Sequence, residues 1–404
     1  MKFYQLTPEQ RREILKDEGI ELDQIDDELL TRLNQLSENV IGSLTLPMGV
    51  VEGLIVNDKK YWVPMASEEP SVVAAANHGA KIFARNGGVT AKSCRNGIFG
   101  QIVMKIGDSF EINNLKHEIP ALIDLTNKNF ASLVNHGGGL KEIAAEIKAD
   151  GLLYLKVLVD PAEAMGANKT NAILEFLAKN LLNFDGIEEK LFAILSNYPS
   201  QLTTAKVDLR FSSVGGEKVA KRIALLSKIA YEDVYRATTN NKGIMNGVDS
   251  TLIATGNDYR AIEAASATLA SESGQYRSLS KWIIKDGKLH GELTLPMAIG
   301  TVGGSINARG DVKQAFSILG DGINTTDLAN VITSIGLANN LTAILAISTV
   351  GIQEGHMKLQ ARNLVADLDA TDAEKAQVLK VIIAKKQYTR EFAQEVLTDL
   401  RKEK

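Results

Sequence analysis

Asn240-Asn241-Lys242-Gly243-Ile244-Met245-Asn246-Gly247, continued by Ala254-Thr255-Gly256-Asn257-Asp258, is the stretch around which the chain is organised. Two glycines and a small turn let Lys242 press into a crowded place, and Asp258 follows on a Gly-Asn turn of its own. A buried lysine needs a carboxylate partner or it loses its charge. The pair therefore reads in two ways. It is a structural ion pair propped by asparagines, or it is a cation that relieves negative charge on a reacting oxygen, with the aspartate maintaining its charge.

Composition narrows the setting. A chain of 404 residues has the length of two to three domains. A net charge of -4 argues against a nucleic-acid partner, which asks for a basic face. Cys94 stands alone, so there is no intrachain disulfide and no cysteine-built metal site, as suits a reducing cytoplasm. His78, His117, His136, His290 and His356 are scattered without ligand spacing, which argues against a histidine metal site. No apolar stretch follows Met1-Lys2-Phe3-Tyr4, and no apolar run reaches membrane-spanning length, so no membrane partner is expected.

Outward from the lysine stretch, hydrophobic spacing predicts helices over 8–17 and 26–37 and strands over 43–48, 53–56 and 61–63, the last two joined by an Asn57-Asp58 turn. A helix is predicted from Pro70 to about Asn86, closed by Gly87-Gly88. Between about 95 and 196 the texture changes. Strands over 100–106 and 152–159 alternate with helices over 118–129, 138–148 and 167–182, as in a β-α-β-β-α-β unit inserted in a larger domain. Beyond it come a strand over 206–212 and helices over 216–230, 261–273, 311–319, 324–337 and 339–349, the last one apolar enough for a core or an interface. Leu293-Thr294-Leu295-Pro296-Met297 repeats Leu44-Thr45-Leu46-Pro47-Met48, which predicts two equivalent edge strands of one sheet. Short helices follow from 353.

Four further stretches carry candidate chemistry. Glu68-Glu69-Pro70-Ser71 opens a helix, where carboxylates and serine are ordinary caps. Pro70 nonetheless holds Glu69 extended, and in a dry site such a carboxyl becomes a proton donor near neutral pH. Ala164-Met165-Gly166-Ala167-Asn168 joins a strand to a helix through small residues, a common anion site that lacks the dinucleotide fingerprint GxGxxG. Gly137-Gly138-Gly139 offers a second close-approach loop or a plain turn, and His356 opens a helix of the terminal unit as a surface residue or a late proton donor.

Together, Glu38–Gly42 (ENVIG), Glu68–Val72 (EEPSV), Asp160–Asn171 (DPAEAMGANKTN), Asn241–Gly247 (NKGIMNG), Ala254–Asp258 (ATGND) and Gly355–Asn363 (GHMKLQARN) resemble hydroxymethylglutaryl-CoA reductases of the bacterial, class II type. The resemblance covers nearly the whole chain. It implies an α+β fold: a large mixed helix/sheet CoA-binding domain from 1–94 and 197–350, an inserted small ferredoxin-like cofactor domain from 95–196, and a C-terminal helical flap from 351–404. It implies a two-step reduction of 3-hydroxy-3-methylglutaryl-CoA to mevalonate and CoA in isoprenoid biosynthesis, with no metal. It also implies a homodimer, or a higher oligomer, with the active site at the interface.

The family's roles fall on residues of this chain. Lys242 would stabilise the oxyanion, and Asp258 would hydrogen-bond that lysine. Glu69 would protonate the carbonyl oxygen, Asn246 would orient the cluster, and His356 would protonate the departing thiolate. Ser71 and Arg236 would hold the substrate, and Met165, Gly166, Asn168 and Asn197 would line the dinucleotide. The chain departs from the family at Asn240 and Gln360, where histidine is usual. Residues 126–136 carry Lys128 and His136 but no acid to grip a ribose hydroxyl, which favours NADPH over NADH, whereas Glu163 argues the other way. The rival readings are the same fold oxidising mevalonate with NAD, and a non-catalytic acyl-CoA-binding paralogue.

Overall fold

The computed structural model describes residues 2–304, 306, 308–349, 361–362 and 364–402. Contacts divide the chain into two units, Met1–Met48 and Gly49–Lys404. In the first, α1 (Pro8–Asp17) starts with Thr7 and Gln10 capping one another, and α2 (Asp27–Asn34) is capped by Asp26. Arg11, almost wholly buried, ties the unit together by donating to Asn34 Oδ1 at 2.8 Å and to the carbonyls of Phe3 and Val40.

The second unit begins with a hairpin, β1 (Met48–Val56) and β2 (Lys59–Ala66), turned at Asn57-Asp58 with both residues at positive φ. Next come α3 (Val72–Ala84), β3 (Thr90–Ser93) and β4 (Ile98–Ile106). Then follow α4 (Ile112–Asn129), α5 (Ala131–Asn135), β5 (Gly139–Ile147), β6 (Leu153–Asp160), α6 (Ala167–Leu181) and β7 (Ile187–Ser196). From β4 to β7 the strands form one antiparallel sheet in the order β5-β6-β4-β7, with α4 and α6 covering a face built on Ile102, Leu155 and Val157, against which Leu174 of α6 is buried. Its strand order and alternation are those of a β-α-β-β-α-β unit.

Residues 139–147 are a strand here, not the helix expected over 138–148. Lys-Glu-Ile-Ala-Ala-Glu-Ile has good helical propensity, but pairing with β6 prevails, with a bulge between Leu140 and Glu142 absorbing the misfit.

A second antiparallel sheet, β3-β8-β10-β9, joins β8 (Leu202–Arg210), β9 (Ser280–Lys285) and β10 (Lys288–Pro296) to β3. Here the repeat-based expectation fails. β10 is paired on both sides, by β8 and β9, so it is interior, and residues 43–47 form no strand, with Leu44 89% exposed. Five shared residues did not make equivalent elements, because pairing partners decide what a short apolar run becomes.

Four long helices complete the unit before its terminal part: α7 (Glu217–Glu232), α8 (Val234–Ala254), α9 (Tyr259–Ala270) and, after α10 (Gly310–Leu319), α11 (Thr325–Ser348). α11 replaces the two helices expected over 324–337 and 339–349. It is long and apolar enough to cross a membrane, yet it is largely buried, packed between α3 and α8 and against β3, β8 and β10. Its apolar circumference is that of a core helix. Helices α12 (Asp372–Lys385) and α13 (Arg390–Lys402) pack on a small core of their own that includes Leu368, Val378, Ile382 and Leu397.

Candidate active site

The lysine stretch is not a turn. It is the middle of α8, which runs unbroken for 21 residues, with Asp233 accepting from the Arg236 amide as its cap. Of its two glycines, Gly247 serves the packing, lying against Asn339 and Ile335 of α11 where a side chain would not fit without displacement, whereas Gly243 faces open space. Asn240 and Asn241 face inward and pin the approach to β9. Asn240 donates to Ser278 and Ser280 and accepts from Asn340, which in turn accepts from the Trp282 indole. Asn241 donates to the Arg277 carbonyl and accepts from the Leu279 amide. Each buried amide is thus satisfied, as burial demands, and Lys242 is left on the outer face.

Lys242 Nζ stands 2.8 Å from Glu69 Oε2, with the two side chains 61% and 38% exposed. An ion pair this open contributes at most about 1 kcal/mol to stability, so its interest is position. The expected partner, Asp258, is elsewhere. Twelve residues of helix separate Lys242 from the end of α8, about 18 Å of rise. Beyond it the chain stays close, with the Asn257 amide donating to the Leu252 carbonyl. Asp258 caps α9 by accepting from the Ala261 amide at 3.1 Å and lies 3.6 Å from Arg260 Nε. Continuous helix where a turn was expected is the physical reason that the two residues of one chain do not meet.

The other expected residues fall into two groups. Ser71 stands two residues beyond Glu69 with φ +82, a left-handed conformation at the start of α3 that costs a non-glycine residue about 1–3 kcal/mol. Asn246 lies one turn after Lys242 on α8, and Arg236 lies near the start of that helix. Burial lowers the Arg236 pKa, and its Nε is buried without a hydrogen-bond partner among the described residues, an arrangement that welcomes an anion.

The second group gathers around α9. Met165 and Asn197 line one narrow cavity together with Ile98 and Tyr198, and α9 closes it with Ala261 and Ile262. Gly166 opens α6 with φ +96, and a Cβ there would stand 2.2 Å from Pro161 Cβ. Only glycine fits, and the start of α6 carries no side-chain cap. Such a helix start receives a phosphate, so these residues fit a dinucleotide. Asn168 sits exposed on the first turn. Glu163 Oε2 accepts from the Thr325 amide at 2.7 Å at the start of α11. No group of three metal-ligating side chains is gathered among the described residues. His356 lies outside them.

One titratable residue was missed from sequence. Asp249 lies on the Lys242 face of α8, seven residues on. Burial first, then a hydrogen bond to Glu263 and its charge, push the Asp249 carboxyl up to about 8, and Asp249 Oδ1 is buried without a donor among the described residues. The spacing from Lys242 was a legible signal, but Glu263, which explains the shift, is joined only by the packing of α8 on α9. The folded chain keeps a proton that the unfolded chain, with a value of about 3.9, releases. This contribution is therefore fully present below about pH 4 and is lost as pH rises towards about 8, by up to about 1.4 kcal/mol per pH unit. Asp249→Asn is expected to flatten that decline, raising the urea midpoint at pH 8 relative to wild type. An unchanged pH dependence of the midpoint would show that no proton is held there.

An outward cation paired with a carboxylate, and an uncapped helix start beside a narrow cavity, suit an oxidoreductase that relieves charge on a carbonyl oxygen. The family model described as hydroxymethylglutaryl-coenzyme A reductase matches residues 7–361, and the chain belongs to that family. The 3-hydroxy-3-methylglutaryl-coenzyme A reductase of Archaeoglobus fulgidus is 36% identical, with 99% of this chain and 94% of that protein covered. A probable reductase of the same description from Borreliella burgdorferi is 34% identical over 92% and 88%. Among solved structures, a Streptococcus pneumoniae 3-hydroxy-3-methylglutaryl-coenzyme A reductase matches with a TM-score of 0.76 and 37% identity, covering 98% of this chain and 99% of that one. A class II enzyme from the same organism, described as bound to NADPH in open conformations, matches with a TM-score of 0.75 and 38% identity over 97% and 99%.

Proposed function

We propose that the chain reduces 3-hydroxy-3-methylglutaryl-CoA to mevalonate and CoA in two hydride steps, at sites each built from two copies of the chain. The observation that carries this is the separation along α8. Glu69, Ser71, Arg236, Lys242 and Asn246 belong to one half-site, and Asp258 belongs with the cofactor residues Met165, Gly166, Asn168 and Asn197 to the other. One chain holds both halves too far apart for joint use, so a two-fold homodimer brings the lysine half of one copy to the aspartate half of its partner.

NADPH, when bound, supplies hydride to the thioester carbon and later to the aldehyde carbon. Each transfer leaves negative charge on oxygen, which the Lys242 ammonium relieves, and Glu69 delivers the proton that neutralises it. Arg236 and Ser71 hold the substrate's carboxylate and hydroxyl. Asp258 steadies the lysine charge from the partner side, and Asn246 keeps the cluster in register. His356, in the terminal segment, protonates the departing thiolate. Since Lys242 and Glu69 stand open to solvent, the dryness that such electrostatics need comes from the second copy and from the terminal segment 351–404 acting as a flap.

The segment 95–196 serves as the cofactor domain within the large domain of 1–94 and 197–350. NADPH is the preferred donor, because the acid that could grip a ribose hydroxyl, Glu163, is already engaged at α11. The setting is cytoplasmic and the pathway isoprenoid biosynthesis. Purified protein mixed with 3-hydroxy-3-methylglutaryl-CoA is expected to consume NADPH at a lower KM than NADH, with two equivalents oxidised per CoA released. Oxidation of neither cofactor would overturn the assignment.

A further inference from the structure

Asn257, next to Asp258, is 8% exposed, and its side chain clasps one backbone unit of a distant loop. Its Oδ1 accepts from the Gly300 amide at 2.8 Å while its Nδ2 donates to the Gly300 carbonyl at 3.1 Å. Nδ2 also reaches Thr255 Oγ1, and the Asn257 amide is held by Leu252 of α8, so the clasp has a fixed root. A side chain that satisfies both the N–H and the C=O of one residue fixes that residue's position and orientation together.

Gly300 in turn is pressed on the cofactor turn. A Cβ there would stand 2.4 Å from the Met165 amide nitrogen, so the two backbones touch with no room for a side chain. The next residues continue the contact. The Thr301 amide donates to the Glu163 carbonyl at 2.9 Å, and Val302 bridges Ala164 in parallel. On the incoming side, the largely buried Arg95 donates to the carbonyls of Met297 and Ile299. The loop is thus a rigid spacer between the end of α8 and the turn that opens α6.

We infer that Asn257 is a positioning residue, which through Gly300 sets where the Met165–Asn168 turn stands relative to Asp258. This rests on the reading that the turn holds the dinucleotide and that Asp258 serves the reaction. The clasp keeps hydride donor and proton network at one spacing through both reductions. Small misplacements of a donor are costly, because reaction requires near-contact geometry.

The test uses the full chain. Asn257→Ala is expected to raise the KM for NADPH by about tenfold and to lower kcat, while the KM for 3-hydroxy-3-methylglutaryl-CoA stays within about twofold. Asn257→Asp keeps the acceptor but sets a carboxylate against the Gly300 carbonyl. Its NADPH KM is expected to fall as pH drops and the acid regains a proton to donate, a trend absent from wild type. A lowered melting temperature with unmoved NADPH KM in both variants would overturn the inference, and if the alanine variant does not fold, the pH trend of Asn257→Asp decides alone. Asn168→Ala tests the underlying reading separately. If it leaves NADPH binding untouched, the turn does not hold the dinucleotide. If it weakens binding while the Asn257 variants do not, only the positioning role is lost.

Discussion

Lys242→Ala is expected to abolish turnover with little change in fold or assembly. The side chain is 61% exposed, and its recorded bond is to Glu69, so its loss removes about 1 kcal/mol of stability or less. In the proposed reaction the same group would meet oxygen as charge develops, with no reorganisation needed. Removing one such preorganised donor typically lowers kcat by about 10²–10³, and a full positive charge is worth at least as much. Single-turnover oxidation of NADPH, alongside thermal unfolding and sedimentation of the same sample, separates the two effects. Activity within about tenfold of wild type, about 1.4 kcal/mol of barrier, would show that the lysine does not stabilise the oxyanion.

Mixing two inactive variants is expected to restore activity. A chain with Lys242→Ala retains Asp258, and a chain with Asp258→Ala retains Lys242. In a mixed two-fold dimer one site receives both defects and the other receives neither, so random reassortment recovers about one quarter of wild-type activity. If both residues served the site of their own chain, every site would carry one defect and nothing would return. The distinction follows from the length of α8, with Lys242 and the residue that caps α9 beyond opposite ends of about 18 Å of helix. Recovery must also require time for subunit exchange, which a tagged chain would report.

The sequence disclosed the elements whose periodicity was strong and local. Pro8 with its cap, the Asn57-Asp58 hairpin, and the helices 167–181 and 217–232 were found close to their true bounds. It misjudged elements decided by partners far along the chain. Residues 139–147 become a strand because β6 lies beside them, and Leu293–Pro296 are interior while Leu44–Pro47 form no strand. At the site, residue types pointed to a cation and a carboxylate, but not to Glu69 as the carboxylate that meets Lys242 within one chain. Two asparagines and two glycines beside Lys242 suggested a turn, whereas the asparagine side chains and the bare Cα of Gly247 serve helix packing. Glu69 as the true neighbour is a contact across 173 residues, which one sequence does not encode in any local pattern. The substrate came from motif resemblance, not from periodicity or charge.

The position of α11 has a consequence for how the protein comes into being. The helix occupies residues 325–348 and touches α3, α8, β3, β8 and β10, all made earlier. Until residue 348 has left the ribosome, the apolar surfaces of those elements have no cover. Such late, long-range closure makes folding slow, and it leaves nascent and truncated chains prone to aggregate. Chains ending before α11 are expected to accumulate as insoluble material, and refolding from urea is expected to pass through a collapsed intermediate that binds hydrophobic dyes until α11 docks.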